Sequence, residues 1–392
     1  NKLVIPYERM NAAFWVMQFS IFSLLVSVTQ VPYNASIFGH ERMNAYAYIS
    51  IVEVLLKLGS VIMIQYCFAD KLLAFGALNM GVTILTALTY RFYCVRNFLN
   101  CRYVRYWSAL LFKELFSYIG WSLIGNLAWT FNSQGMNILI NMFFGPVFNA
   151  TRGIASSVES AVSSFLYNFI TPAVPPIIKA YAAGDIDEMI RLSLRSSKLG
   201  FLLFMCLSLP LISVMNPILK LWLIAPPPQS WTFCLLSLIY IQCNSLGGTL
   251  QNMVQATGKV KRYQLSNGIV KIMALPIVYI IYKCGGDVVA YLWTLILTSI
   301  VGLMVQLDAV RRLIDSFKIS DYLKKVIMPA LTAYLLPFLL SFYFSCMEME
   351  SLKMMETVAI MVVICLFSVW FIGFTGHERS WILNIAKSKL YR

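Results

Sequence analysis

Five charged side chains interrupt stretches of the chain that otherwise carry none: Glu53, Lys57, Arg152, Glu159 and Lys271. Each falls in a run long and apolar enough to cross a bilayer, where a charge at the helix centre costs about 2.5–3.5 kcal/mol. A charge retained at that cost needs a partner, water or a function. Glu53 and Lys57 stand at i,i+4 with the acid first, the favourable order for an intrahelical pair, so a structural pair accounts for them as well as a functional one does. Arg152 and Glu159 lie two turns apart on one helical face, too far to pair along the helix. Lys271 has no charged neighbour in its run. Such groups suit the binding and passage of charged species through a low-dielectric region. Bond-making chemistry has no comparable support, because the chain offers no nucleophile–base set, metal constellation or soluble active-site domain.

Neutral polar residues extend the same faces. Asn126, Thr130, Ser133, Gln134, Asn137 and Asn141 recur at steps of three and four, and so do Asn149, Arg152, Ser156, Glu159, Ser160 and Ser163. Ser20, Ser23, Ser27, Gln30 and Asn34 make a third stripe, and Gln242, Ser245, Thr249 and Asn252 a fourth. Interhelical hydrogen bonding explains any one Ser or Thr. Taken as a set, with two stripes carrying full charges, they predict a water-filled cavity.

The elements that position these residues are membrane helices. The chain of 392 residues is 59% apolar and only 12% charged, and its mean hydropathy is +0.72. Lipid offers the backbone no hydrogen-bond partners, so runs of about 20 apolar residues read as spanning helices. Spans are expected at 12–35, 45–68, 72–91, 115–142, 147–175, 192–215, 231–255, 262–282, 288–308, 328–346 and 357–375, about eleven in all. The sequence predicts an all-α integral membrane protein with no room for a soluble domain.

The net charge of +14 reports topology and no nucleic-acid partner. With a cytoplasmic C-terminus, alternate loops gather Arg42; Arg91, Arg96, Arg102, Arg105 and Lys113; Lys179, Arg191, Arg195 and Lys198; Lys259, Lys261 and Arg262; Arg311, Arg312, Lys318, Lys324 and Lys325; and the tail residues from Arg379 to Arg392. The other side keeps only Lys2, Arg9, Lys71, Lys220, Lys283 and Lys353. That is the positive-inside signature. An odd number of spans then starts outside, and the chain opens on Asn1 with no signal peptide, so a fragment lacking an odd number of N-terminal helices is expected. The nine cysteines read as unpaired packing residues, although Cys67, Cys284 and Cys346 all fall near outer ends. With His40 and His377 the only histidines, no metal site and no cofactor is expected.

The segments around Asn34 and Asn252 both run from a polar-striped helix through a short basic turn into the next helix. Setting one on the other places Glu53 on Lys271, which suggests an internal repeat of the kind transporters use. Six-helix repeats would divide the chain into a partial N-lobe (1–106), a C-lobe (107–317) and two further C-terminal spans with a tail (318–392).

Val31-Pro-Tyr-Asn-Ala, Gly39-His-Glu-Arg-Met and Phe144-Gly-Pro-Val-Phe-Asn-Ala-Thr-Arg-Gly-Ile-Ala resemble Wzx-type oligosaccharide flippases, as do Lys179-Ala-Tyr-Ala-Ala-Gly-Asp185 and Gln255-Ala-Thr-Gly-Lys259. These flippases form a branch of the multidrug/oligosaccharidyl-lipid/polysaccharide exporter superfamily. The resemblance implies a two-lobed, multidrug-exporter-like bundle with pseudo-twofold six-helix repeats, of whose roughly fourteen spans this chain would hold the last eleven. It implies alternating access that turns an undecaprenyl-diphosphate-linked oligosaccharide across the bacterial inner membrane for surface polysaccharide or O-antigen (lipopolysaccharide) synthesis. Membrane lipids, a polysaccharide polymerase and glycosyltransferases are the implied partners, with H+ or Na+ as coupling ion. In that setting Arg152 and Lys271 would compensate the diphosphate. Asn126, Gln134, Asn137 and Asn252 would meet sugar hydroxyls. Glu53 or Glu159 would carry the coupling ion, with Lys57 tuning Glu53. A lipid II flippase and a cation-coupled drug antiporter are alternatives, although the antiporter would want an acid-dominated cavity. A non-transporting scaffold of a polysaccharide assembly complex would need no charged faces.

Overall fold

The computed structural model describes residues 10–67, 70–98, 101, 107–223, 225–347, 351–376 and 378–380. The loop and tail residues Lys2, Arg9, Arg102, Arg105, His377, Lys387, Lys389 and Arg392 lie outside them, as does the Cys67 side chain. Every regular element among the described residues is helical. Among the described residues, ten helical segments are long and apolar enough to span a bilayer. The expected span at 115–142 is helical too, within a 36-residue helix, but its polar stripe keeps it out of that apolar ten.

The chain divides into two compact units, the first ending at Trp107 and the second starting at Ser108. The first comprises α1 (Met10–Gly39), α2 (Met43–Cys67) and α3 (Lys71–Asn97). Asp70 starts α3 by accepting the Leu72 and Leu73 amides, two donors that a helix start leaves unpaired. Both α1 and α2 pack on α3. Their buried cluster is small, formed by Ile37, Ile49, Tyr90, Cys94 and Phe98. Most other large apolar side chains of α1 and α2 stay exposed, as lipid-facing surfaces require.

The second unit begins with α4 (Ala109–Phe144) and α5 (Pro146–Ile170). Ser108 caps α4 by accepting the Leu111 amide. The two helices are separated by one residue, Gly145, whose φ of 84° is open to glycine and strained for other residues. Pro146 then supplies a helix start that needs no donor. A 3-10 turn leads to α6 (Val174–Ala182), and α7 (Ile186–Ser213) follows, its first turn capped by Asp185 on the Glu188 amide. Beyond α8 (Met215–Trp222), the expected span at 231–255 is two helices, α9 (Ser230–Ser245) and α10 (Gly248–Thr257).

The break has a local remedy. A Cβ on Gly247 would press on Gln306 Oε1, so glycine leaves that amide its room. Leu246 O, freed by the break, instead accepts Ser197 Oγ at 2.9 Å and Tyr322 OH at 2.6 Å. The carbonyl is satisfied twice.

The unit is completed by α11 (Lys261–Lys283), α12 (Ala290–Leu313), α13 (Ile319–Tyr322), α14 (Met328–Ser345) and α15 (Ser351–Ser368). Its core runs continuously from α4 to α15. The C-terminal pair belongs to this unit because α14 and α15 both pack on α7. Ser341 donates to Leu209 O at 2.7 Å and Ser368 donates to Ala333 O at 2.7 Å.

Lys198, grouped above with loop charges, is buried inside α7, its side chain 4% exposed. Its Nζ lies 2.5 Å from Glu378 Oε2. The residue reads as a loop charge because it stands within the first turns of a long span, where sequence does not reveal a distant acid.

Candidate functional site

The one-residue corner at Gly145 sets α4 and α5 side by side and antiparallel. Asn137 precedes the corner by eight residues and Arg152 follows it by seven, so at about 1.5 Å per residue both stand nearly level along the hairpin. Arg152 Nη1 donates to Asn137 Oδ1 at 2.5 Å. Asn137 Nδ2 donates in turn to Gln134 Oε1 at 3.2 Å, one turn earlier on α4. On the opposite side, the guanidinium carbon lies 5.5 Å from the centre of the Tyr291 ring on α12. Tyr291 is itself buried against Phe233. A fixed positive charge is thus held between an amide and an aromatic face, half-buried. Among the described residues no carboxylate pairs with it directly. Glu159, two turns further along α5, shares its electrostatic surroundings, and Tyr240 on α9 lies within the field of both.

Lys271 occupies a different place. With Asn132 on α4, Tyr240 and Asn244 on α9, Asn267 on α11, and Thr298, Ser299 and Gln306 on α12, it lines a cavity of about 20 Å³. Asn132 donates to the Lys271 carbonyl, and Gln306 Nε2 donates to Asn267 Oδ1 at 3.4 Å. Gln306 Oε1 is buried without a hydrogen-bond partner among the described residues. A cavity of this size takes about one water. It cannot admit a diphosphate, so here Lys271 faces a small polar chamber inside the second unit.

The structure therefore brings Gln134, Asn137 and Arg152 into one string, with Glu159 on the same helix and Tyr240 between that string and the chamber of Lys271. Asn126 is exposed on α4, more than two turns from Gln134, and Asn252 is half-buried on α10. Neither side chain joins the string. In the first unit, Lys57 Nζ lies 2.6 Å from Glu53 Oε1, the intrahelical pair that their spacing anticipates.

Part of one expected cavity stripe, on α9, serves packing instead. Gln242 is buried and donates to Phe201 O at 2.9 Å, joining α9 to α7, and Ser245 returns its proton to Gln242 O. Ser20, Ser23 and Ser27 donate to carbonyls of their own helix. The amide reaches a neighbour it can bond, and the hydroxyls take the nearest backbone acceptor.

Sequence reading missed Asn132, Asn267, Gln306, Tyr240 and Tyr291. Asn132 lies off the stripe that Gln134 and Asn137 define. The two tyrosines sit in apolar runs where an aromatic reads as core. Isolated Asn and Gln within apolar runs, Asn267 and Gln306, were the available signal.

No protein-family model matches the sequence, and no curated protein matches it. Among solved structures, the crystal structure of MATE in complex with MaL6 matches with a TM-score of 0.69 at 12% sequence identity, covering 80% of this chain and 72% of that chain. At that identity the likeness is one of fold. The chain has a MATE-like helical fold, in agreement with the expected helical architecture.

Proposed function

We propose that this protein flips an undecaprenyl-diphosphate-linked oligosaccharide from the cytoplasmic to the periplasmic leaflet of the bacterial inner membrane, its C-terminus on the cytoplasmic side. The observation that carries this reading is Arg152. It is a permanent cation in the membrane region, held by a neutral amide and a ring and, among the described residues, without a paired carboxylate, so its charge is available to an anionic head group. Gln134 and Asn137 beside it offer amide groups to sugar hydroxyls. A transporter fold supports passage, and the sequence resemblance supports the substrate class.

Glu159 is the better candidate for coupling to H+ or Na+, because the Glu53 carboxylate is already engaged by Lys57. Lys271 acts from its chamber, adding positive potential without touching the head group in this conformation. A polymerase and glycosyltransferases of the same pathway would be the partners. The test is complementation of a bacterial strain lacking its own flippase, with Arg152→Ala alongside wild type. Restored surface polysaccharide with wild type and its loss with Arg152→Ala are expected. Failure of wild type, or full activity of Arg152→Ala, refutes the reading. A lipid II flippase is separated by supplying each lipid in turn to reconstituted vesicles.

A cation-coupled drug antiporter is the second reading, favoured by the structural likeness and by the acid Glu159 beside Tyr240. Export of a cationic dye, abolished in Glu159→Gln and unaffected in Arg152→Ala, would establish it instead.

A further inference from the structure

A large cavity in the second unit lies away from Arg152. It is a groove of about 1480 Å³ between the first turns of α4 and of α11. Leu115, Leu265 and Ile269 are among its apolar lining, while Lys113, Lys259, Lys261 and Arg262 stand exposed around it. Among the described residues none of these four cations forms an ion pair. Glu114 is the one acid in the lining. Four cations against one acid leave a surplus of three positive charges beside an apolar trough. Lys261 Nζ rests 4.7 Å from the centre of the Trp121 ring, at the junction between the two.

We propose that this groove is a loading site for a lipid diphosphate, taking the diphosphate on the basic rim and the first prenyl units on the apolar floor. The proposal rests on the flippase reading for its biological substrate. The charge count selects the ligand. A diphosphate diester brings two negative charges, whereas a phospholipid phosphodiester brings one and leaves most of the surplus unanswered. The sequence also places the turn carrying Lys259 and Lys261 on the cytoplasmic side, where such a lipid would be loaded. Its volume exceeds that of the Lys271 chamber by far, so a head group with attached sugar has room here.

The test uses the full chain in phosphatidylcholine nanodiscs, titrated with farnesyl diphosphate and read by tryptophan fluorescence, with Trp121→Phe as the background. Wild type is expected to bind, with a signal that Trp121→Phe loses. Lys259→Gln/Lys261→Gln/Arg262→Gln is expected to weaken binding at least about tenfold, a loss of about 1.4 kcal/mol. The double variant Lys259→Arg/Lys261→Arg should retain it, which separates lost charge from lost fold. Lys318→Gln/Lys324→Gln/Lys325→Gln removes as many charges outside the groove and should bind as wild type does. Equal affinity of wild type and the groove triple variant, or an equal loss in the control triple, overturns the proposal. Inorganic pyrophosphate binding as tightly as farnesyl diphosphate removes the lipid part of the assignment. Displacement of the probe by an equal amount of phosphatidylglycerol reassigns the groove to phospholipid. Groove-dependent binding without complementation would refute the flippase reading and leave the groove standing; complementation with groove-independent binding would do the reverse.

Discussion

Replacing Asn137 separates two roles that the Arg152 string combines, stability and availability of charge. Asn137→Ala removes the acceptor 2.5 Å from Arg152 Nη1 and leaves the guanidinium with the Tyr291 ring alone. A hydrogen bond to a charged group contributes about 1.5–3 kcal/mol. Because Arg152 is only half-buried and water can replace part of the loss, the lower end applies, about 1.5 kcal/mol. At about 2–4 °C per kcal/mol for a large unit, the unfolding midpoint should fall by roughly 3–6 °C. Asn137→Asp keeps an acceptor in place and makes it an anion. The variant should unfold no earlier than wild type, yet its carboxylate competes with any anionic head group for Arg152. The assay is a thiol-reactive dye in detergent, reporting exposure of the buried Cys234 and Cys365 on heating, run beside flipping in reconstituted vesicles. Lowered stability with Asn137→Ala, and intact stability with lost transport with Asn137→Asp, are expected. If Asn137→Asp transports at the wild-type rate, Arg152 does not present its charge to the substrate and the reasoning fails.

Other perturbations probe the supports of the site. Gly145→Ala has open space around the new methyl group but forces a φ of 84° with a ψ of −175° on an alanine; a cost of about 1–3 kcal/mol and a lower unfolding midpoint are expected. Glu378→Gln strips the partner from buried Lys198 and should cost about 3–5 kcal/mol, whereas Lys198→Met/Glu378→Gln, which leaves no unpaired charge, should recover most of it in the same melting assay. Burial alone would push the Glu378 carboxyl up, but Lys198 and the Thr375 amide and hydroxyl outweigh it and hold it below its ordinary range. A lowered folded value means stability that is present above the unfolded value near pH 4.3 and lost as pH falls through the folded one. Thermal midpoints taken below about pH 4.3 should therefore drop in wild type by more than in Glu378→Gln. Tyr322→Phe removes one of two donors from Leu246 O and should cost about 1 kcal/mol, while adding Ser197→Ala should cost more than twice that, because the buried carbonyl is then left bare.

The helical membrane architecture was legible because lipid imposes a simple rule, and long apolar runs obey it. A local pairing was legible too: Glu53 and Lys57 pair as their spacing requires. Polarity of a face proved less informative. The stripe on α4 faces Arg152 in part, but Gln242 on α9 bonds a neighbouring helix, and periodicity alone does not distinguish a lined space from a bonded contact. Lys198 and Glu378 stand 180 residues apart, and no local pattern announces that they meet. The chamber around Lys271 draws its lining from four helices, so its existence depends on packing that one sequence leaves open.

The one-residue corner at Gly145 also has a bearing on how this gene can change. The register between Asn137 and Arg152 is counted out along two helices that share a single joint. One codon gained or lost between Asn137 and the corner would turn Asn137 by about 100° around α4. Length variation that surface loops absorb freely would here dismantle the contact, so insertions and deletions in residues 138–151 should be purged even where they leave the spans intact and hydrophobic.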